Sequence, residues 1–370
     1  MSTSVESGTA VLFRPFALKG LMLKNRIVMA PMTRRKSPGG VPGADVAAYY
    51  RRRAEGGLGL IVTEGTYIPH PGAGFYPDVP HFYGEEALAG WKRVLEEVHA
   101  ASGRIFPQIW HVGLTAPVDA KTGSGAVGPS GLLKPGEQVR EPMTQQEIDD
   151  VVRAFGEAAR SAERLGFDGL EIHGAHGYLI DQFFWEGTNQ RTDQYGGDLV
   201  RRTRFAVQVI EEIRRKVSPD YPVCFRYSQW KLQDYSAKLA RTPQELERFL
   251  EPLSAAGVDI FHCSQRRFWE PEFEGSSLNL AGWTKKLTGK PAITVGSVTL
   301  NQEFTTSFRS PDTAAVTGID DLLDRMNHGE FDLVAVGRSL IVNPNWAEVV
   351  QRGALDELQP FQRDVLQQLV

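Results

Sequence analysis

The chain has 370 residues, 41% hydrophobic and 23% charged, an ordinary globular balance with ample length for a large core. A net charge of −4 gives no electrostatic case for binding nucleic acid or an anionic membrane. No uninterrupted apolar run reaches the roughly 18 residues of a membrane span, and the N-terminal MSTSVESGTA lacks the basic-then-apolar pattern of a signal peptide, so a cytoplasmic location is expected.

The segment 12–27, LFRPFALKGLMLKNRI, reads as a hairpin ahead of the first strand. Short apolar runs then alternate with longer segments of helical period. The strand candidates are 26–32, 58–65, 104–110, 168–174, 222–228, 258–264, 291–297 and 331–337. They are continuously apolar, as strands buried on both faces are. Between them, 144–166 carries one buried stripe through Ile148, Val151, Phe155, Ala158, Ala162 and Leu165, and Thr144 with Glu147 makes a capping box. Asp198 opens a helix whose stripe includes Ala206, Val209, Ile210, Ile213 and Val217. Thr242, Pro243 and Glu245 mark another helix start. Cys224 and Cys263 lie inside strand candidates and read as buried reduced thiols. Eight strand–helix units imply an α/β fold, a (β/α)8 TIM barrel forming one domain over 1–370, with the hairpin covering its floor. Long loops after the third strand (111–143, including KTGSGAVGPSG) and the sixth (265–284) belong to the C-terminal mouth, where barrels build their sites.

The strand ends collect reactive side chains. TVGSV and AVGRS end the last two strands, so Gly296, Ser297, Gly337 and Arg338 read as a phosphate site. HGAHGY puts His173, His176 and Tyr178 at one mouth, able to bind a carbonyl and supply a proton, or to bind a metal. Arg226 ends a buried strand and must meet an anion, whether a ligand or a neighbouring carboxylate such as Glu64 or Glu171. Trp110 is either an aromatic wall or ordinary packing.

FRPFALKGLMLKNRIVMAPMTR, VTEGTYI, QIWHVG, EIHGAHGYLIDQFFWEGTNQRTDQYGGDLVRR and AVGRSLIVNPNW together resemble the old yellow enzyme family, over nearly the whole barrel and in order. The resemblance implies bound FMN, NADH or NADPH as reductant, and reduction of activated C=C bonds. It implies that Ala30, Pro31, Met32, Thr33, Gly65 and Gln108 contact the isoalloxazine. Arg226 would sit by the part of the ring that becomes anionic, and Gly296, Ser297, Gly337 and Arg338 would hold the phosphate. His173 and His176 would grip a substrate carbonyl and Tyr178 would deliver a proton. Trp110 and Trp269, apart from the resemblance, are expected to complete the substrate pocket. Thr33 stands where one branch of the family has cysteine, and many members have asparagine at His176. The run RYSQWK after Arg226 differs from the family's Arg-x-Ser-Pro, and the 265–284 loop has no family pattern.

The expected partner is a small-molecule enone or nitro-type substrate, with no nucleic acid and no membrane; monomer and homodimer stay undecided. Two other readings compete. One is a metal-dependent barrel hydrolase using His173, His176, His111 or His262, which lacks paired acidic ligands and leaves the glycine-ended strands unexplained. The other is a non-catalytic FMN- or phosphate-binding barrel. The expected site holds no metal.

Overall fold

A computed structural model describes residues 8–116, 125–309 and 313–370. Residues 1–7 of the polar N-terminus and 117–124 of the 111–143 loop lie outside the described residues. An antiparallel hairpin of β1 (Phe16–Leu18) and β2 (Leu21–Leu23) comes first, as expected for 12–27. Eight parallel strands then close a ring in chain order. They are β3 (Ile27–Met29), β4 (Leu60–Tyr67), β5 (Ile105–Trp110), β8 (Leu170–His173), β9 (Val223–Ser228), β10 (Ile260–Ser264), β11 (Ala292–Val295) and β12 (Leu333–Val336). The remaining pair, β6 (Leu132–Lys134) and β7 (Glu137–Gln138), is a small hairpin within the loop after β5.

Each barrel strand is buried along its whole length, because side chains alternate between the barrel interior and the helical layer. Inside, Val28, Leu60, Val62, Phe106, Cys224, Ile260, Ile293 and Leu333 form one cluster with Phe16, Leu21 and Leu23 of the hairpin, which closes the floor. Both cysteines are free and buried. Outside, the helix Gln145–Leu165 begins with the expected capping box and ends at Gly166 in the left-handed conformation. The helix Pro243–Ala256 is capped by Thr242 with proline in its first turn. The helix after Asp198 is interrupted: Leu199–Arg202 and Arg204–Lys216 meet at Thr203, while Ala206, Val209, Ile210 and Ile213 still face the core. Among the described residues no helix is long and apolar enough to cross a membrane.

The two long loops differ in what they do. No described residue of 111–143 lines the cavity at the barrel mouth. Its β-hairpin end is tied to the 182–191 segment instead, with Arg191 Nη1 donating to the Pro129 and Met143 carbonyls, each at 2.7 Å. The loop after β10 is shorter than expected, since a helix starts at Leu280 with Asn279 as its cap. Asn279 Nδ2 also donates to the Phe268 carbonyl at 2.7 Å, which pins the loop to the barrel.

Candidate active site

At the C-terminal ends of the strands lies a cavity of about 410 Å³, in the range of small-molecule sites. It brings together Ala30, Pro31, Met32, Thr33, Gln108, Trp110, His173, His176, Tyr178, Arg226, Gly296, Ser297, Gly337 and Arg338. Two expected residues stand apart. Gly65 pairs with Gln108 across β4–β5 and does not line the cavity; a Cβ there would come within 2.5 Å of the Trp110 ring, so its bareness makes room for the indole. Trp269 does not line the cavity either. Its ring stands edge-on to Phe268, and its carbonyl accepts from Arg325 Nη2 on the outer helix Asp320–Asn327.

Below the cavity lies a charged layer set by strand register, which aligns His173 with Arg226 and Arg226 with His262. Arg226 does not pair with Glu64, whose Oε2 instead accepts the backbone N–H groups of Arg34 and Arg35 at 2.9 and 3.2 Å. Nor does it bond Glu171 directly. Arg226 Nη1 donates to His262 Nε2 at 2.8 Å, and His262 Nδ1 meets Glu171 Oε2 at 2.7 Å. Gln108 Nε2 donates to the other Glu171 oxygen at 2.8 Å. Burial pushes the Glu171 carboxyl up, but His262, the Arg226 charge and Gln108 outweigh it and hold it at about 2. His262 is driven down to about 4, by burial first and then by Arg226. Arg226 Nε is buried with no hydrogen-bond partner among the described residues. Arg226 itself lines the cavity, and a guanidinium there suits a ligand with a carbonyl or a developing anion, as the pyrimidine side of a flavin has.

At the mouth, His173, His176 and Tyr178 form an edge-to-face cluster, with ring centroids 5.0 Å apart for His173–Tyr178 and 5.1 Å for His173–His176. Trp110 stacks on His173 at 5.7 Å and stands edge-on to Tyr178 at 4.9 Å. His173 Nδ1 accepts the Ala175 N–H at 3.3 Å, so a neutral ring carries its hydrogen on Nε2. Burial, then Arg226, push His173 down to about 3, and burial with the neighbouring His173 and Arg226 hold His176 well below the usual histidine range. Both imidazoles are therefore neutral donors at neutral pH. Burial also pushes the Tyr178 phenol well above its ordinary range, so it keeps its proton. Its hydroxyl makes no hydrogen bond to any described residue.

At the other end of the cavity, Gly296 has φ 131°, and a Cβ there would lie 2.7 Å from the Gln265 carbonyl oxygen. Arg338 reaches Ser297 Oγ at 3.5 Å and the Glu303 carbonyl at 3.3 Å, and also bonds the Gln302 carbonyl. A cation, a serine and two glycines at the ends of β11 and β12 fit a phosphate monoester.

Sequence reasoning passed over several residues now seen in the wall. Trp230 stacks on His176 with centroids 4.5 Å apart and planes 23° apart. Ser264, Arg266 and Leu232 also line the cavity. Trp230 sits in the stretch RYSQWK that breaks the family pattern, and that break was the available signal. Of the histidines in the hydrolase reading, His262 holds Glu171 and His111 meets His70 at 3.0 Å; among the described residues no three His, Cys, Asp or Glu side chains group as metal ligands.

The sequence matches the NADH:flavin oxidoreductase / NADH oxidase family over residues 11–357. It is 34% identical over 94% of its length to the NADH oxidase of Thermoanaerobacter brockii, of which it spans 52%. It is 31% identical to 12-oxophytodienoate reductase 2 of Arabidopsis thaliana, over 86% of this chain and 91% of that one. Among solved structures, morphinone reductase in complex with tetrahydroNAD superposes with a TM-score of 0.78 at 30% identity, over 96% of this chain and 93% of the other. The old yellow enzyme homologue of Zymomonas mobilis gives 0.79 at 27% identity, over 96% of each chain.

Proposed function

The chain belongs to the NADH:flavin oxidoreductase / NADH oxidase family, FMN-dependent enzymes reduced by NAD(P)H, and on that premise we propose that it is an ene-reductase with Tyr178 as its proton donor. The substrate class is an activated C=C bond in an α,β-unsaturated aldehyde or ketone, or a nitro-type analogue. The observation that carries this reading is the cluster of His173, His176 and Tyr178 on a cavity whose far end holds Gly296, Ser297, Gly337 and Arg338.

In this reading Ala30, Pro31, Met32, Thr33, Gln108 and Arg226 hold the flavin ring, and Gly296, Ser297, Gly337 and Arg338 hold the phosphate. Gly65 contributes by seating Trp110, and Trp269 has no part. Bound FMN supplies the hydride. His173 and His176 donate hydrogen bonds to the substrate oxygen and stabilise the negative charge that builds there as hydride reaches the β-carbon. Tyr178 gives its phenolic proton to the α-carbon and recovers one from water, so hydride and proton together saturate the double bond. Trp110 and Trp230 exclude water from the histidines.

The test is anaerobic reduction of the purified protein by NADH or NADPH, followed by reoxidation with a panel of enones and nitro compounds. The reading expects a yellow protein, release of FMN on denaturation, and formation of the saturated ketone from cyclohexenone in step with flavin reoxidation. Reoxidation by oxygen alone, with no enone reduced, would overturn it.

A further inference from the structure

We propose that Ser264 is a positioning residue whose hydroxyl fixes His176 as the tautomer with its hydrogen on Nδ1 and ties it to Arg226. Ser264 ends β10, two positions beyond His262 on the same inward face. Its Oγ lies 2.7 Å from His176 Nε2 and accepts from Arg226 Nη2 at 3.2 Å. Its residue is only 3% exposed, and the His176 and Arg226 side chains are the partners of its Oγ among the described residues.

Counting donors decides the direction of the chain. A guanidinium only donates, so the Arg226 contact uses Ser264 Oγ as an acceptor. The hydroxyl hydrogen then has His176 Nε2 as its one acceptor among the described residues. Were His176 Nε2 the donor instead, the hydroxyl hydrogen would be left without a partner among the described residues, at the cost of an unmade bond. The satisfied arrangement is Arg226 N–H to Ser264 Oγ, and Ser264 O–H to His176 Nε2, leaving the His176 hydrogen on Nδ1. His173 is fixed in the opposite sense by the Ala175 N–H on its Nδ1. Each ring therefore retains one N–H for an acceptor in the cavity.

The rest of the His176 setting fixes the ring's place and leaves its tautomer to Ser264. Its backbone takes φ 67°, its N–H donates to Ser228 Oγ at 3.0 Å, and Trp230 covers one ring face while donating from Nε1 to the Ser264 carbonyl at 3.2 Å. The catalytic consequence rests on the ene-reductase reading: charge building on the substrate oxygen pulls on His176 Nδ1–H, makes Nε2 a stronger acceptor, and tightens the bond from Ser264.

The experiment uses the FMN-loaded protein labelled with 15N-histidine and long-range 1H–15N correlation spectra, with His176 assigned by loss of its signals in His176→Asn. The expected wild-type spectrum shows a neutral ring with the hydrogen on Nδ1. Ser264→Ala should convert it to a mixture or to the Nε2–H form, and should weaken by roughly 2- to 10-fold, the range of one net hydrogen bond, the binding of a phenol, whose oxygen would accept from the N–H that each ring retains. Ser264→Thr, which keeps the hydroxyl, should restore both. A wild-type His176 carrying its hydrogen on Nε2 overturns the proposal, even where enone turnover is normal. So does a Ser264→Ala protein with unchanged tautomer and phenol affinity. An Nδ1–H signal abolished by Ser264→Ala supports it whatever the protein reduces, so the spectra and the enone assay fail separately.

Discussion

Arg226 meets the ring of His262 rather than a carboxylate: Nη1 donates to Nε2 at 2.8 Å, and the counter-charge sits one bond further on at Glu171. The arrangement keeps the cation compensated at the cavity wall, with Nε buried and unpartnered among the described residues. Glu171→Gln removes the anion of this layer among the described residues and leaves a buried charge uncompensated. Loss of one partner of a buried pair typically costs about 3–5 kcal/mol. Chemical denaturation should show a loss of that order, and a midpoint unchanged from wild type would mean that the Arg226 charge is solvated some other way.

Arg338 is the cation at the proposed phosphate end, already oriented by the Gln302 and Glu303 carbonyls. Arg338→Ala should weaken FMN binding by about 1.5–3 kcal/mol, the worth of a charge-assisted contact. Flavin fluorescence quenching on titration with FMN measures it. Riboflavin, which lacks the phosphate, should bind wild type and variant alike.

The pH dependence follows from His173. Its folded value of about 3 lies below the ordinary 6.5, so between those values the unfolded chain binds a proton that the folded chain refuses. His173 therefore makes stability fall as pH drops from 6.5 toward 3. Over pH 5 to 8 His173 stays neutral, and His176 is held well below 6.5, so the binding of a phenol, whose oxygen would accept from the two ring N–H groups, should show no histidine break near pH 6.5 when followed by the flavin spectrum. A break near pH 6.5 would show that a histidine titrates there.

Gly65→Ala tests the placement of Trp110. The added methyl would meet the indole at 2.5 Å, on a ring that stacks on His173. Overpacking of this kind typically costs about 1–3 kcal/mol. Thermal unfolding should register the loss, with a larger effect on enone KM than on FMN content. An unchanged stability would mean that the ring shifts freely.

The barrel was legible because strands buried on both faces read as unbroken apolar runs, and because caps such as Thr144–Glu147 announce helix starts. The hairpin's place on the floor is carried by Phe16, Leu21 and Leu23, which join the interior cluster. The charged layer was not legible. His262 lies in an apolar run and reads from sequence only as a candidate metal ligand, until register and a hydrogen bond set it between Arg226 and Glu171. Ser264 is an unremarkable serine until its neighbours are known. Trp269 and Trp230 show the limit for loops: each is a tryptophan beyond a strand end, and only the path of the chain sends Trp230 over His176 and Trp269 toward the outer helices. Thr203 interrupts its helix without disturbing the apolar stripe, so periodicity alone passes over the break.

Tyr178 separates the two halves of the reaction. Tyr178→Phe keeps the ring against Trp110 and His173 and removes only the phenolic proton. Stopped-flow absorbance of the flavin, recorded anaerobically, measures each half-reaction alone. Reduction by NAD(P)H should stay within a few-fold of wild type, while reoxidation by cyclohexenone should slow by about 100- to 10,000-fold, the usual contribution of a general acid. Reoxidation by a quinone, which needs no protonation at carbon, should change far less. Equal slowing of both half-reactions, or none in either, would contradict the assignment of the proton to Tyr178.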